Sequence, residues 1–236
     1  MDAKAYARGD RRTETIARGM CSALIGCALA LGGCAIPQSF PATQQQRLTL
    51  SPGDLEAHGV AFITPSTATG QEEEKQAVAL VFAQAMRAER GALRIVTLPE
   101  SLNIISKAGL SDDYKRMYDE YRDTGLFKRD MLGRIGQLTT ARYVAQIKLQ
   151  GFTQGAKERF GAFGLRIVET RYANVRLFLQ IWDTYDGTIA WEGMQEMLYS
   201  REAVTEKPIT LQVAVERAAK NLVKILPPAP PVGASH

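Results

Sequence analysis

Gly59-Val60-Ala61-Phe62-Ile63-Thr64-Pro65, then Glu72 to Arg90, then Leu93-Arg94-Ile95-Val96-Thr97-Leu98, is the stretch that decides the fold. Its first segment is a short β-rich run bounded by glycine and proline, and it reads as a buried strand. In the second, Val78, Val81, Phe82, Ala85 and Met86 fall on one helical face. Glu72-Glu73-Glu74 stand at its start, where the helix dipole favours acids. Gly91 stops the helix and the third segment is again a strand. Strand, helix and strand form a βαβ unit with a parallel pair, right-handed by the general rule.

Further along, Pro99 opens a short helix through Ile105. A second helix starts at Ser111 and places Tyr114, Met117, Tyr118 and Tyr121 at i, i+3, i+4 and i+7. Arg129 to Leu138 forms a third. In Tyr143 to Phe152, Ala145, Ile147 and Leu149 alternate with polar neighbours, the mark of a half-buried strand. Val175, Leu177, Leu179 and Ile181 share one strand face, Asp186-Gly187 supplies a two-residue turn, and Ile189 and Trp191 return on the partner. Gly193 reads as a bulge in that hairpin. Leu211, Val215, Ala218, Leu222 and Ile225 make the apolar stripe of a closing helix from Thr210 to Leu226. The expectation is one α/β domain over residues 58–226: a mixed β-sheet with a parallel βαβ start and an antiparallel C-terminal hairpin, covered by helices.

Outside that domain the two ends carry other signals. Lys4, Arg8, Arg11, Arg12 and Arg18 precede an apolar run from Met20 to Gly33 that is too short to span a bilayer. The run closes on Leu31-Gly32-Gly33-Cys34, which resembles a bacterial lipoprotein signal with its lipobox. The resemblance implies that residues 1–33 are removed and that Cys34 becomes the acylated first residue. Ala35, rather than an Asp, then implies an outer-membrane address facing the periplasm. Residues 34–57 contain Pro37, Pro41, Pro52, Gly53 and Gln44-Gln45-Gln46 without an apolar period, and read as a flexible tether. Residues 227–236 read as a proline-rich disordered tail.

Charge and cysteine usage narrow the function classes. Removing residues 1–33 leaves 24 basic against 22 acidic side chains, and no basic stripe is studded with aromatics, so nucleic acid is not an expected partner. Cys21 and Cys27 lie in the removed segment, which leaves the domain without a disulfide. The only histidines, His58 and His236, stand at the end of the tether and at the chain terminus, poor places for a buried base. Neither a nucleophile elbow nor a zinc-protease motif appears, and no cofactor motif is present.

The order of elements, with Gly59-Val60-Ala61-Phe62, Ala141-Arg142-Tyr143-Val144-Ala145-Gln146-Ile147 and the amphipathic closing helix, resembles the periplasmic domain of the curli-export lipoprotein CsgG. The amino-terminal domain of TolB and the activator LpoB are similar in fold. The resemblance implies an envelope assembly, export or regulatory factor without a catalytic centre. Residues 153–174, with several charges and three glycines, are expected to lack the long strand pair of a pore, and within them Gly155 to Gly164 reads as a mobile inter-strand loop.

The expected function is a membrane-anchored, non-catalytic binding or assembly factor that works through an envelope protein partner or self-association. The alternatives are a monomeric regulator of a cell-wall enzyme and a hydrolase built on Asp183, Glu192 and Glu196. Tyr114, Met117, Tyr118 and Tyr121 read first as core and second as a partner contact. Phe160 and Phe163, in the glycine-rich run, are the other expected contact, with a partner or a membrane surface. The paired acids Asp112-Asp113 and Asp119-Glu120 read as a solvated helix face rather than as metal ligands.

Overall fold

The computed structural model describes residues 38–162, 165–203 and 210–229, with side chains undescribed at 38–41, 156–162, 165–171 and 199–203. The signal segment, Cys34, Phe163 and the end of the proline tail lie outside the described residues. In chain order the elements are β1 (Gln38–Arg47), α1 (Asp54–His58), β2 (Val60–Phe62), β3 (Ser66–Thr67), α2 (Glu72–Glu89), β4 (Ile95–Val96) and α3 (Leu98–Lys107). There follow α4 (Ser111–Thr124), α5 (Arg129–Thr139), β5 (Tyr143–Ala162), β6 (Leu165–Asp183), β7 (Ile189–Ala203) and α6 (Leu211–Ile225).

The strands form one mixed seven-stranded sheet in the order β1-β7-β6-β5-β2-β4, with β3 beside β5. The expected parallel unit is present: Val60 pairs with Ile95 and also with Tyr143, both in parallel register. Because strand side chains alternate, adjacent residues feed opposite faces. Val60, Phe62, Ala145, Ile147 and Leu149 join α2 and α6 in one core. Ala61, Ile63, Val144 and Trp182 join α3, α4 and α5 in the other. Each fully buried Val, Leu, Ile or Phe side chain contributes about 1.5–3 kcal/mol, so this two-faced burial is what holds three short parallel strands in place.

On the antiparallel side, away from the end of β6 at Gln180 and Trp182 that α4 covers, one face is covered and the other is solvated. Val175, Leu177, Leu179 and Ile181 are wholly buried with Ala214, Val215, Ala218 and Leu222 of α6. The opposite face carries Arg176 bonded to Glu196, with Leu198 exposed beside them, as an antiparallel sheet with one solvated face allows.

Three expectations are corrected. Residues 34–57 are not a free tether over their described part. Gln38 to Arg47 pair with β7 along the whole of β1, and Leu50 and Leu55 are buried to 1% or less. Glu56 also takes two hydrogen bonds from Arg90, at 2.6 and 2.9 Å. The missing apolar period reflects an edge position, where a strand tolerates Pro41 and a polar outer row. At the other terminus, the carbonyl of Pro228 accepts a hydrogen bond from the Gly53 amide, so the proline segment begins docked.

Second, the glycine-rich run is strand rather than loop: β5 is 20 residues long and β6 is 19. Gly155 lies opposite Tyr172, whose hydroxyl oxygen would stand 2.4 Å from an added Cβ, so that glycine makes room for a cross-strand ring. Phe160 therefore belongs to the backbone of β5. Third, β6 and β7 are joined by residues 184–188, closed by Gly187 N–H to Asp183 O, instead of a two-residue turn. Gly193 pairs in register with Leu179, and the irregularity falls between Ile181 and Trp182.

Candidate functional site

Helical spacing turns Tyr114, Met117, Tyr118 and Tyr121 of α4 toward the sheet. Met117 and Tyr121 are buried and Tyr118 is half-buried. Gly125, at φ 74°, ends the helix in the left-handed conformation and brings Phe127 back onto Tyr121, the two rings stacked at 4.0 Å. Phe127 in turn meets Trp182 edge-on at 5.1 Å. The stripe is thus core on its apolar side, where Met117 is buried and Tyr121 stacks on Phe127.

Its polar side is organised around the exit of β2. Tyr114 accepts a hydrogen bond from the Thr64 amide at 2.9 Å, while Tyr118 donates to the Thr64 carbonyl at 2.6 Å. Tyr121 donates to Gln180 Oε1 at 3.0 Å. Gln146, wholly buried, links Tyr118 at 3.2 Å to Ser66 Oγ at 3.1 Å. Burial pushes the Tyr114 and Tyr121 hydroxyls above the ordinary tyrosine range and Tyr118 well above it, so all three stay protonated.

A cleft of about 660 Å³ opens where α4 stops covering the sheet. One wall is the segment Thr64 to Gly70, the other is Lys115, Asp119 and Arg122 of α4, and Lys148 of β5 closes the floor. Ser66 stands abreast of Lys148 in parallel register. Lys148 Nζ lies 4.7 Å from the centre of the Tyr121 ring. Lys115 and Arg122 both bond to Asp119, at 2.7 and 3.1 Å, and the Lys115 hydrogen bond holds the Asp119 carboxyl below its ordinary range. Lys75 lies 3.6 Å from Glu72.

A second cleft, of about 650 Å³, lies beside α5 and the β6–β7 connection. Its arginines are engaged within the chain: Arg142 with Asp183, Arg129 with the Tyr185 carbonyl, and Arg134 with Asp113.

The three carboxylates of the hydrolase alternative do not converge. Asp183 is tied to Arg142, Glu192 accepts from Gln180, and Glu196 is held by Arg176. Glu192 and Glu196 sit four residues apart on one strand, about 13 Å along it, beyond the spacing glycosidic chemistry uses. Asp113, Asp119 and Glu120 each pair with a lysine or arginine, as a solvated helix face does. Among the described residues, no three His, Cys, Asp or Glu side chains gather as a metal site would require. Lys75, Lys148, Ser66 and Thr67 were not singled out by motif; the only signal was Lys148 at a polar position in an alternating strand.

Comparison with protein families and with curated proteins finds no match. Among solved structures, the chain is similar to the PelC dodecamer from Paraburkholderia phytofirmans, at 12% identity and TM-score 0.44, covering 81% of this chain and 100% of that one. It is also similar to the LpoB C-terminal domain from Salmonella enterica, at 15% identity and TM-score 0.34, covering 59% and 82%. The lipoprotein GNA1162 from Neisseria meningitidis aligns at 10% identity and TM-score 0.34, covering 70% and 98%. Likenesses of this size assign no role to this chain.

Proposed function

We propose that the protein is an envelope lipoprotein, acylated at Cys34, whose folded domain acts as a non-catalytic binding or assembly factor at the periplasmic face of the outer membrane. The observation that carries this reading is Leu31-Gly32-Gly33-Cys34 at the end of a basic and then apolar leader, with three residues between Cys34 and β1. So short a connection makes the acyl chains a close anchor for the sheet edge rather than a long leash. Several acyl chains hold a protein stably at a membrane, and anchoring raises the local concentration of any partner on that surface. The dispersed carboxylates and the engaged arginines support binding over catalysis. The sequence likeness to CsgG, TolB and LpoB belongs to the same proposal.

The test exchanges residues 1–33 for an ordinary secretory signal and changes Cys34→Ala. The expected product folds, is exported and stays soluble, while the wild-type chain sediments with membranes. Sedimentation of the exchanged chain with membranes would sink the reading. Native mass in mild detergent then separates self-assembly from docking onto another envelope protein.

A further inference from the structure

The cleft under α4 is unusual in what surrounds it. Lys75, Lys115, Arg122 and Lys148 face it, against a single lining carboxylate, Asp119. Asp119 already serves two of those cations, and among the described residues Lys75 has only the longer contact to Glu72. Lys148 is half-buried on the sheet, and among the described residues its charge is met by the face of the Tyr121 ring and by no carboxylate. A partly desolvated ammonium whose only partner is a ring lacks the anion that would offset its lost hydration. Arg142, the comparable cation at the other end of the sheet, has such an anion in Asp183.

The rest of the cleft fits that requirement. Ser66, on β3, is placed next to Lys148 by register and brings its hydroxyl, which accepts from Gln146 and keeps its own hydrogen to donate, to that wall. The tyrosine hydroxyl bonds to Thr64 hold that wall against α4, so the site is shaped before any ligand arrives. About 660 Å³ is within the usual range for small-molecule sites and exceeds what a lone inorganic ion fills. The position, just past the carboxyl end of the parallel strand β2, is where open α/β sheets commonly bind ligands.

We propose that this cleft binds a sugar-sized oxyanion, with the carboxylate or phosphate group on Lys148 and Lys75 and the body of the ligand along the Thr64–Ser66 wall. The site is independent of acylation at Cys34, so it stands or fails apart from the membrane reading.

The experiment titrates the full-length protein in detergent with glucuronate, glucose 6-phosphate and neutral glucose, read by ligand-observed NMR. Saturable binding of one or both anions, at least about tenfold tighter than glucose, is the expected result. Which anion binds tells a carboxylate ligand from a phosphate one. Lys148→Gln should weaken the anion about tenfold or more, Lys148→Arg should retain it, and Lys220→Gln on α6 should leave it unchanged. Should Lys148→Gln fail to fold, Lys75→Glu reads the same charge requirement from α2. Equal binding of glucose, no saturable binding of either anion, or wild-type affinity in the charge variants would overturn the proposal.

Discussion

Tyr118 donates its hydroxyl hydrogen to the main-chain carbonyl of Thr64 across 2.6 Å, fastening the middle of α4 to the point where the chain leaves β2. The neighbouring Tyr114 takes the amide of the same residue at 2.9 Å, so both main-chain polar groups of Thr64 are satisfied from one helix. Tyr118→Phe keeps the ring and loses the bond, a loss of about 1 kcal/mol in the unfolding free energy measured by urea titration. Hydrogen exchange should quicken across residues 64–70 and stay unchanged in β6. Uniform acceleration through both cores would show that the bond has no local role.

Glu56 and Arg90 form a buried bidentate pair, with side chains 8% and 6% exposed. Glu56→Gln leaves a buried guanidinium without its counter-charge, and the expected loss is about 3–5 kcal/mol. A chain starting at residue 58 also lacks β1, Leu50 and Leu55, and should give no cooperative thermal transition. One starting at residue 37 should melt as a single unit. A cooperative transition in the shorter chain would restore the tether reading of residues 34–57.

Gly193 is fixed by a neighbour rather than by its backbone angles. An added Cβ would meet the Trp191 indole at 2.2 Å, and that indole is wholly buried. Gly193→Ala should therefore cost about 1–3 kcal/mol through overpacking. Gly91→Ala, where nothing lies within 4 Å, should be nearly neutral in the same thermal melt. Equal effects of the two would remove the steric argument.

At the start of α3, the Thr97 amide donates to Glu100 at 2.7 Å, and this bond, with the Thr97 hydroxyl, holds the Glu100 carboxyl below its ordinary range. A folded-state pKa below the unfolded one adds stability above the unfolded value, and that stability disappears as pH falls through the folded value. The stability difference between wild type and Glu100→Gln should be constant at neutral pH and shrink through the acid range below about pH 4.5. Urea titrations at a series of pH values would show it, and a difference that grew on acidification would contradict the assigned bond.

Much of the fold is visible in side-chain periodicity. The β2–α2–β4 unit, α4, α5 and α6 follow from apolar spacing, because each buries a single stripe or a continuous run. What periodicity misses are elements whose burial is partial or whose partners are distant. β1 has a polar outer row because it is an edge, and the outer ends of β5 and β6 are strand because they pair with each other and not because they are apolar. The cleft was half legible. Tyr114, Tyr118 and Tyr121 stand out as a helical stripe, but Lys148 and Ser66 are 82 residues apart and meet only through the parallel register of β3 and β5. No local pattern records that pairing.

The account rests first on what becomes of Cys34, and intact mass spectrometry of the protein extracted from its native envelope measures it directly. The predicted mass is that of a chain beginning at Cys34 and carrying more than one fatty acyl chain. A chain that retains residues 1–33, or one cleaved with an unmodified Cys34, would contradict the membrane-anchored reading.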